Sequence, residues 1–188
     1  MSATPILQRE PIFQGRVIDV ALETVELPNG NRVDLEIVRH PGGAAAVALD
    51  EAQQVCLLRQ YRHAGNGWLW ELPAGKIDPG EAPLTTATRE LTEEAGVIAR
   101  RWTALGLIHS SPGVFTEVIY LWLARDLAIT GHAQECDEVM EIHWLPLREA
   151  LDWCNDGTIT DAKTLVGLYR ADALIRRAQE LTPEDSWC

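Results

Sequence analysis

Apolar positions along the chain follow two different rhythms, and the change of rhythm marks the elements. Val, Ile and Leu alternate with polar residues over Arg16 to Glu26 and Arg32 to Arg39, on either side of Pro28-Asn29-Gly30-Asn31, and this predicts two strands joined as a hairpin. After Pro41-Gly42-Gly43, the runs Ala44 to Leu49 and Gln54 to Gln60 read as two further strands, linked by the turn Asp50-Glu51-Ala52. Trp68 to Leu72, Trp102 to Ile108, Val118 to Ala124 and Glu141 to Leu145 are strand-like as well. Three stretches instead take the helical period: Thr85 to Ala95, Leu147 to Asn155 and Asp161 to Glu180. In the first of these, Leu84, Thr88, Leu91 and Ala95 form the apolar stripe, and Gly96 stands where a left-handed cap is expected. Strands interleaved with two or three helices predict an α/β sandwich around a mixed sheet.

That first helix carries the chemistry. Glu90 and Glu94, four residues apart, share a face with Glu93, which the spacing sets opposite the apolar stripe. Carboxylates at this spacing repel by a few tenths of a kcal/mol per pair unless cations neutralise them. Magnesium suits the task, because it takes oxygen ligands from one or two carboxylates and completes its shell with water and substrate phosphates. Arg89 can reach Glu93 one turn on and hold it in one orientation.

Gly75, Glu81, Arg89, Glu90, Leu91, Glu93, Glu94, Gly96 and Val97 together match the Nudix box at every restricted position, so the chain resembles the Nudix hydrolase superfamily. The resemblance implies an α/β/α Nudix sandwich and a loop-helix-loop that binds divalent metal, Mg2+ with Mn2+ as a substitute. It implies Glu90 and Glu94 as metal ligands, Glu93 as a ligand or a contact to metal-held water, and the Ala74 carbonyl as a further ligand. Arg89 would orient the carboxylates and Glu81 would support the loop.

Outside the box, Ser110-Ser111-Pro112-Gly113-Val114-Phe115-Thr116-Glu117 follows a strand, with proline, glycine and glutamate spaced as in the ADP-ribose (ADP-sugar) pyrophosphatase branch. Pro restricts one backbone angle and Gly permits unusual ones, which favours a rigid bend beside a substrate. Ser111, Pro112, Gly113 and Glu117 are therefore substrate-binding candidates. Arg59-Gln60-Tyr61-Arg62, at the end of a strand just before the box, resembles the segment that leads into the box in the family. Arg59 could pair bidentately with a diphosphate and Glu71 could accept from adenine or ribose, unless the two pair with one another. The stretch Gln134 to Glu141 resembles the acidic loop of ADP-ribose pyrophosphatases, which implies Glu138, and after it Glu135, as general base, with Asp137 in contact with metal-held water. The implied reaction is attack of water on one phosphorus of an ADP-sugar, releasing AMP and a sugar phosphate. Rival readings are GDP-mannose or another nucleotide sugar, a damaged nucleoside triphosphate, and a silent nucleotide-sensing domain. Intact box carboxylates disfavour the last.

Composition narrows the picture further. The 188 residues, 46% of them apolar, suit one domain that buries roughly 70% of its extended surface. A net charge of −12 argues against a broad grip on nucleic acid. No apolar run approaches a membrane span, and the first residues lack the order of a signal peptide, so a cytoplasmic protein is expected. Cys56, Cys136, Cys154 and Cys188 form no metal or disulfide pattern, and the five histidines show no ligand spacing. The expected organisation is an N-terminal β extension over residues 1–40, the Nudix domain over 41–181 and a tail over 182–188. By resemblance, the extension implies a homodimer.

Overall fold

The computed structural model describes residues 5–131 and 139–180. Within these residues, ten strands and three α-helices follow in order: β1 Ile6–Gln14, β2 Asp19–Glu26, β3 Arg32–Arg39, β4 Gly43–Ala48, β5 Gln54–Arg62, β6 Gly67–Glu71, β7 Ala74–Lys76, α1 Pro83–Ala95, β8 Val97–His109, β9 Val118–Ile129, β10 Met140–Pro146, α2 Leu147–Asp156 and α3 Ala162–Glu180. They build three sheets, ordered β1-β2-β3, β10-β5-β6 and β7-β4-β9-β8. β4 and β9 run parallel while the other pairs are antiparallel, so the central sheet is mixed as expected.

β4 is buried along its whole length because helices cover both faces of its sheet, and a strand in that position has no use for polar residues. Ala46 and Ala48 face α1 with Cys56, Leu91, Ala95 and Ala124. Ala45, Val47 and Leu49 join Leu57, Leu72, Leu121 and Leu123 under Leu151 of α2 and Leu168 of α3. The result is the α/β/α sandwich. Among the described residues, no helix is long and apolar enough to cross a membrane.

Two differences from the sequence reading have physical causes. β1 was not expected, since Pro11 interrupts its pattern; it pairs along β2 nonetheless, with register shifts on either side that absorb the misfit. β8 begins at Val97, five residues earlier than its apolar pattern suggests, because it is an edge strand whose Arg100 and Arg101 extend away from the core. The N-terminal sheet is anchored to the sandwich through the Ser110–Glu117 segment. The Val38 N–H donates to the Val114 carbonyl (2.7 Å), the Thr116 N–H donates to the Val38 carbonyl (2.9 Å), and the His40 N–H donates to the Thr116 hydroxyl (3.0 Å).

α3 packs against the central sheet at Gly167. A Cβ there would lie 2.7 Å from Leu72 Cδ1 and 3.2 Å from Val47 Cγ2, both in the core. Gly167→Val is expected to cost about 1–3 kcal/mol, read in urea as a lower midpoint with unchanged slope.

Candidate functional site

α1 enters on Pro83 and ends on Gly96, whose φ of 64° makes the left-handed cap and whose N–H donates to the Thr92 carbonyl. Leu91 and Ala87 are fully buried against the sheet. The three glutamates do not all face solvent opposite that stripe, as spacing alone suggests. Glu94 is only 6% exposed. The Glu71–Lys76 segment folds back over this side of the helix, and the Ala74 N–H donates to Glu94 Oε2 at 2.8 Å.

Gly75 lies directly over Glu90. A Cβ at this position would fall 1.8 Å from Glu90 Oε1, so no side chain larger than hydrogen fits while Glu90 keeps its place. Here glycine is required by close approach and not by its φ.

Arg89 ties the rest together. Its Nη1 donates to Glu90 Oε1 (2.7 Å) and to Glu93 Oε2 (3.0 Å), its Nε and Nη2 grip the two oxygens of Glu81 (3.2 and 3.1 Å), and Nη2 also reaches the Lys76 carbonyl (3.3 Å). Glu81 further accepts from the Thr86 hydroxyl (2.7 Å) and the Asp78 N–H (3.3 Å). The hydrogen bond from Arg89, and after it that from Thr86, hold the Glu81 carboxyl at about 2, well below its ordinary value. Burial and the nearby charge of Glu94 push the Cys56 thiol up to about 12, which leaves it neutral and unsuited to nucleophilic work.

This donor set is all oxygen. Among the described residues, no three acidic, histidine or cysteine side chains form a preassembled metal cage. Glu90 and Glu93 share Arg89, and Glu94 turns to the Ala74 amide. Such a set fits a hard divalent cation that takes few protein carboxylates and completes its shell with water and substrate oxygens.

Ala74, Gly75 and Lys76 also line a cleft of about 890 Å³, in the range of small-molecule sites. Its other walls include Arg62, Leu69 and Glu71 from β5 and β6, Ser110, Glu117 and His40, and Asp161 and Lys163 at the start of α3. Glu71 is buried and accepts from Arg62 Nε (2.8 Å), from Arg62 Nη2 (3.1 Å) and from Lys163. Burial works to raise the Glu71 carboxyl, but the Arg62 hydrogen bonds and the charges of Lys163 and Arg62 outweigh it and hold the group below its ordinary value. His40 Nδ1 accepts from the Gly42 N–H (3.1 Å) and lies 3.3 Å from Glu117.

Of the residues singled out from sequence, the cleft brings together Ala74, Glu71 and Glu117, with Glu90 and Glu94 behind its floor. Ser111, Pro112 and Gly113 form an exposed turn, closed by the Ser111 carbonyl, which accepts from Val114 and Phe115; the cleft is lined by Ser110 instead. Arg59 does not pair with Glu71. Strand alternation puts it on the opposite face of the sheet, where it meets Glu141 (3.3 Å) and stacks over Trp68 (5.0 Å). Glu135, Asp137 and Glu138 lie outside the described residues. Sequence reasoning passed over Arg62, His40, Asp161 and Lys163. Arg62 had a signal, since it stands in the same short segment as Arg59 but on the other pleat.

Comparison with known proteins places this geometry. Residues 39–165 match the NUDIX domain. The chain is 38% identical to the ADP-ribose pyrophosphatase of Bacillus subtilis (strain 168) over 160 residues, which is 84% of this chain and 86% of that protein. It is 33% identical to the ADP-ribose pyrophosphatase of Mycobacterium tuberculosis (strain ATCC 25618 / H37Rv) over 185 residues, 96% of this chain and 88% of the other. A crystal structure of an ADP compounds hydrolase superposes with a TM-score of 0.80 at 24% identity, covering 95% of this chain and 97% of that one, and so shares the fold. With the glycine-covered, arginine-tied carboxylates of α1 in place, the chain belongs to the NUDIX domain family of hydrolases.

Proposed function

We propose that this enzyme hydrolyses the diphosphate bond of ADP-ribose or a closely related ADP-sugar, releasing AMP and a sugar phosphate. The observation that carries the reading is the shared backbone of Ala74 and Gly75. One side of it is the floor of the cleft, and the other side is the cradle over Glu90 and Glu94. A phosphate group on this floor lies against the carboxylate helix. The relatives named above supply the substrate class.

Glu90, Glu94 and the Ala74 carbonyl would hold a divalent cation, with Glu93 beside them; Mg2+ is the first choice and Mn2+ a substitute. Such an ion, when bound, supplies an acidified water and stabilises charge on the phosphate oxygens. The protein's own part is positional. Arg89 keeps Glu81, Glu90 and Glu93 in one arrangement, and Glu94 is fixed by the Ala74 amide. Arg62, held on Glu71, places a positive group in the cleft lining, where it orients the diphosphate. Glu117 and Ser110 offer hydrogen bonds to sugar hydroxyls. The general base that takes the proton of the attacking water is assigned to the acidic stretch before β10, with Glu138 as the first candidate and Glu135 as the alternative.

The N-terminal sheet is proposed as the homodimer element. β1 is exposed throughout and shows Ile6, Leu7, Ile12 and Phe13 to solvent, with Ile12 at 63%. An apolar edge of this kind is a liability in a free monomer. A second copy would cover it.

Three outcomes are expected. Among ADP-ribose, ADP-glucose, GDP-mannose, NADH and 8-oxo-dGTP, ADP-ribose gives the highest kcat/KM in Mg2+ and yields AMP; preference for a guanine nucleotide would contradict the substrate assignment. Glu94→Gln, which keeps the Ala74 hydrogen bond, loses at least roughly 100-fold in kcat with its melting temperature nearly unchanged. In sedimentation velocity the protein runs as a dimer, and Ile12→Glu shifts it to monomer; an unshifted variant removes β1 from the interface.

A further inference from the structure

The first turn of α3 holds more of the cleft than a helix start needs to. Asp161 accepts from the Thr164 N–H (3.0 Å) and the Thr164 hydroxyl (2.6 Å), and its carbonyl accepts from the Leu165 N–H (3.0 Å). The same Thr164 oxygen accepts from the Leu72 N–H at 2.9 Å, across 92 residues of sequence. Thr164 is fully buried. Beside it, Lys163 donates to Glu71 and, at 3.1 Å, to Asp161, with its side chain 12% exposed. Arg62, Glu71, Lys163 and Asp161 thus alternate in charge along one wall of the cleft.

We propose that Lys163 is a positioning residue for the hydrolysis: by clamping Glu71 from the α3 side it fixes the Arg62 guanidinium and, with Thr164, the Glu71–Gly75 segment that holds Glu94 and covers Glu90. The inference rests on the pyrophosphohydrolase reading of the cleft. Its logic is electrostatic and mechanical. A buried carboxylate held by cations on two sides has one stable position, whereas with one cation removed it follows the other, and Arg62 moves with it. Leu72 and Glu71 are tied to adjacent residues of one helical turn, so the segment between β6 and β7 is fixed at two points in succession. The same helix also reaches β8, where Arg170 Nη1 donates to the carbonyls of Leu105 (3.0 Å) and Leu107 (3.1 Å), next to the cleft residue Ile108. One helix is therefore bonded to two separate stretches of chain that line the cleft. Displacing a reacting group by about 1 Å is enough to cost roughly 100-fold in rate.

The test is a double-mutant cycle on the full-length protein with Lys163→Met, Glu71→Gln and the pair, using the nucleoside diphosphate sugar that the wild type cleaves best, alongside hydrogen exchange of residues 69–76. Expected are a roughly 10- to 100-fold fall in kcat/KM for Lys163→Met, a double variant no worse than the weaker single, and faster exchange over Leu72–Lys76. Lys163→Arg, which keeps the charge, should recover most of the activity and the slow exchange, and it carries the test if Lys163→Met does not fold. Losses that multiply in the double variant would show that Lys163 meets the substrate itself and would overturn the proposal, as would unchanged exchange. If the wild type cleaves no substrate in Mg2+ or Mn2+, the functional reading fails, and the exchange data alone decide the clamp.

Discussion

Everything at this site depends on how closely the Ala74–Gly75 backbone lies over the carboxylates of α1. The approach leaves no room for a Cβ at Gly75, and it places the Ala74 amide where Glu94 can accept from it. Neither contact would survive if the glutamates repelled each other outward into water. Arg89 opposes that by hydrogen-bonding Glu81, Glu90 and Glu93 from one guanidinium, whose planar fork serves several acceptors at fixed angles. The like-charge strain that the helix spacing predicts is thereby met in part inside the protein, since one positive charge faces three carboxylates, and the excess negative charge suits a divalent cation. The same compact arrangement leaves oxygen donors next to a cleft of substrate size.

The remainder of the fold holds that backbone still. β4 runs alongside β7 in register at Gly43, Ala44 and Ala45, with small residues that let the strands and helices on either side come close. α3 supplies the other constraint, through Thr164 to Leu72, Lys163 to Glu71 and the contact of Gly167 with Leu72. Fold and function meet in the segment from Glu71 to Gly75. Its residues are at once the end of a strand, the edge of the core, a wall of the cleft and the lid over the carboxylates.

Local pattern made much of this legible. The helix of the box, its glycine cap, the hairpin β2-β3 and the mixed sandwich all follow from periodicity and turn residues close together in sequence. Arg89 and Glu93 are one turn apart, so their contact could be read from spacing. What spacing could not show was pairing across long intervals. Glu71 and Lys163 are 92 residues apart, and nothing local marks either as the other's partner. Arg59 illustrates a subtler limit. Its neighbourhood was right, but a strand puts adjacent arginines on opposite faces, and Arg62 is the one that reaches the cleft. β1 escaped because Pro11 and its bulged register hide the alternation that its pairing with β2 nonetheless satisfies.

The central claim is that the Gly75-covered carboxylates of α1 are where the catalytic metal sits. A crystal of the protein equilibrated with Mn2+ and examined by anomalous diffraction tests this most directly. The account predicts an ion within coordination distance of Glu90, Glu94 and the Ala74 carbonyl. Manganese bound only elsewhere, or no anomalous peak beside Glu90 and Glu94 at saturating concentration, would contradict it.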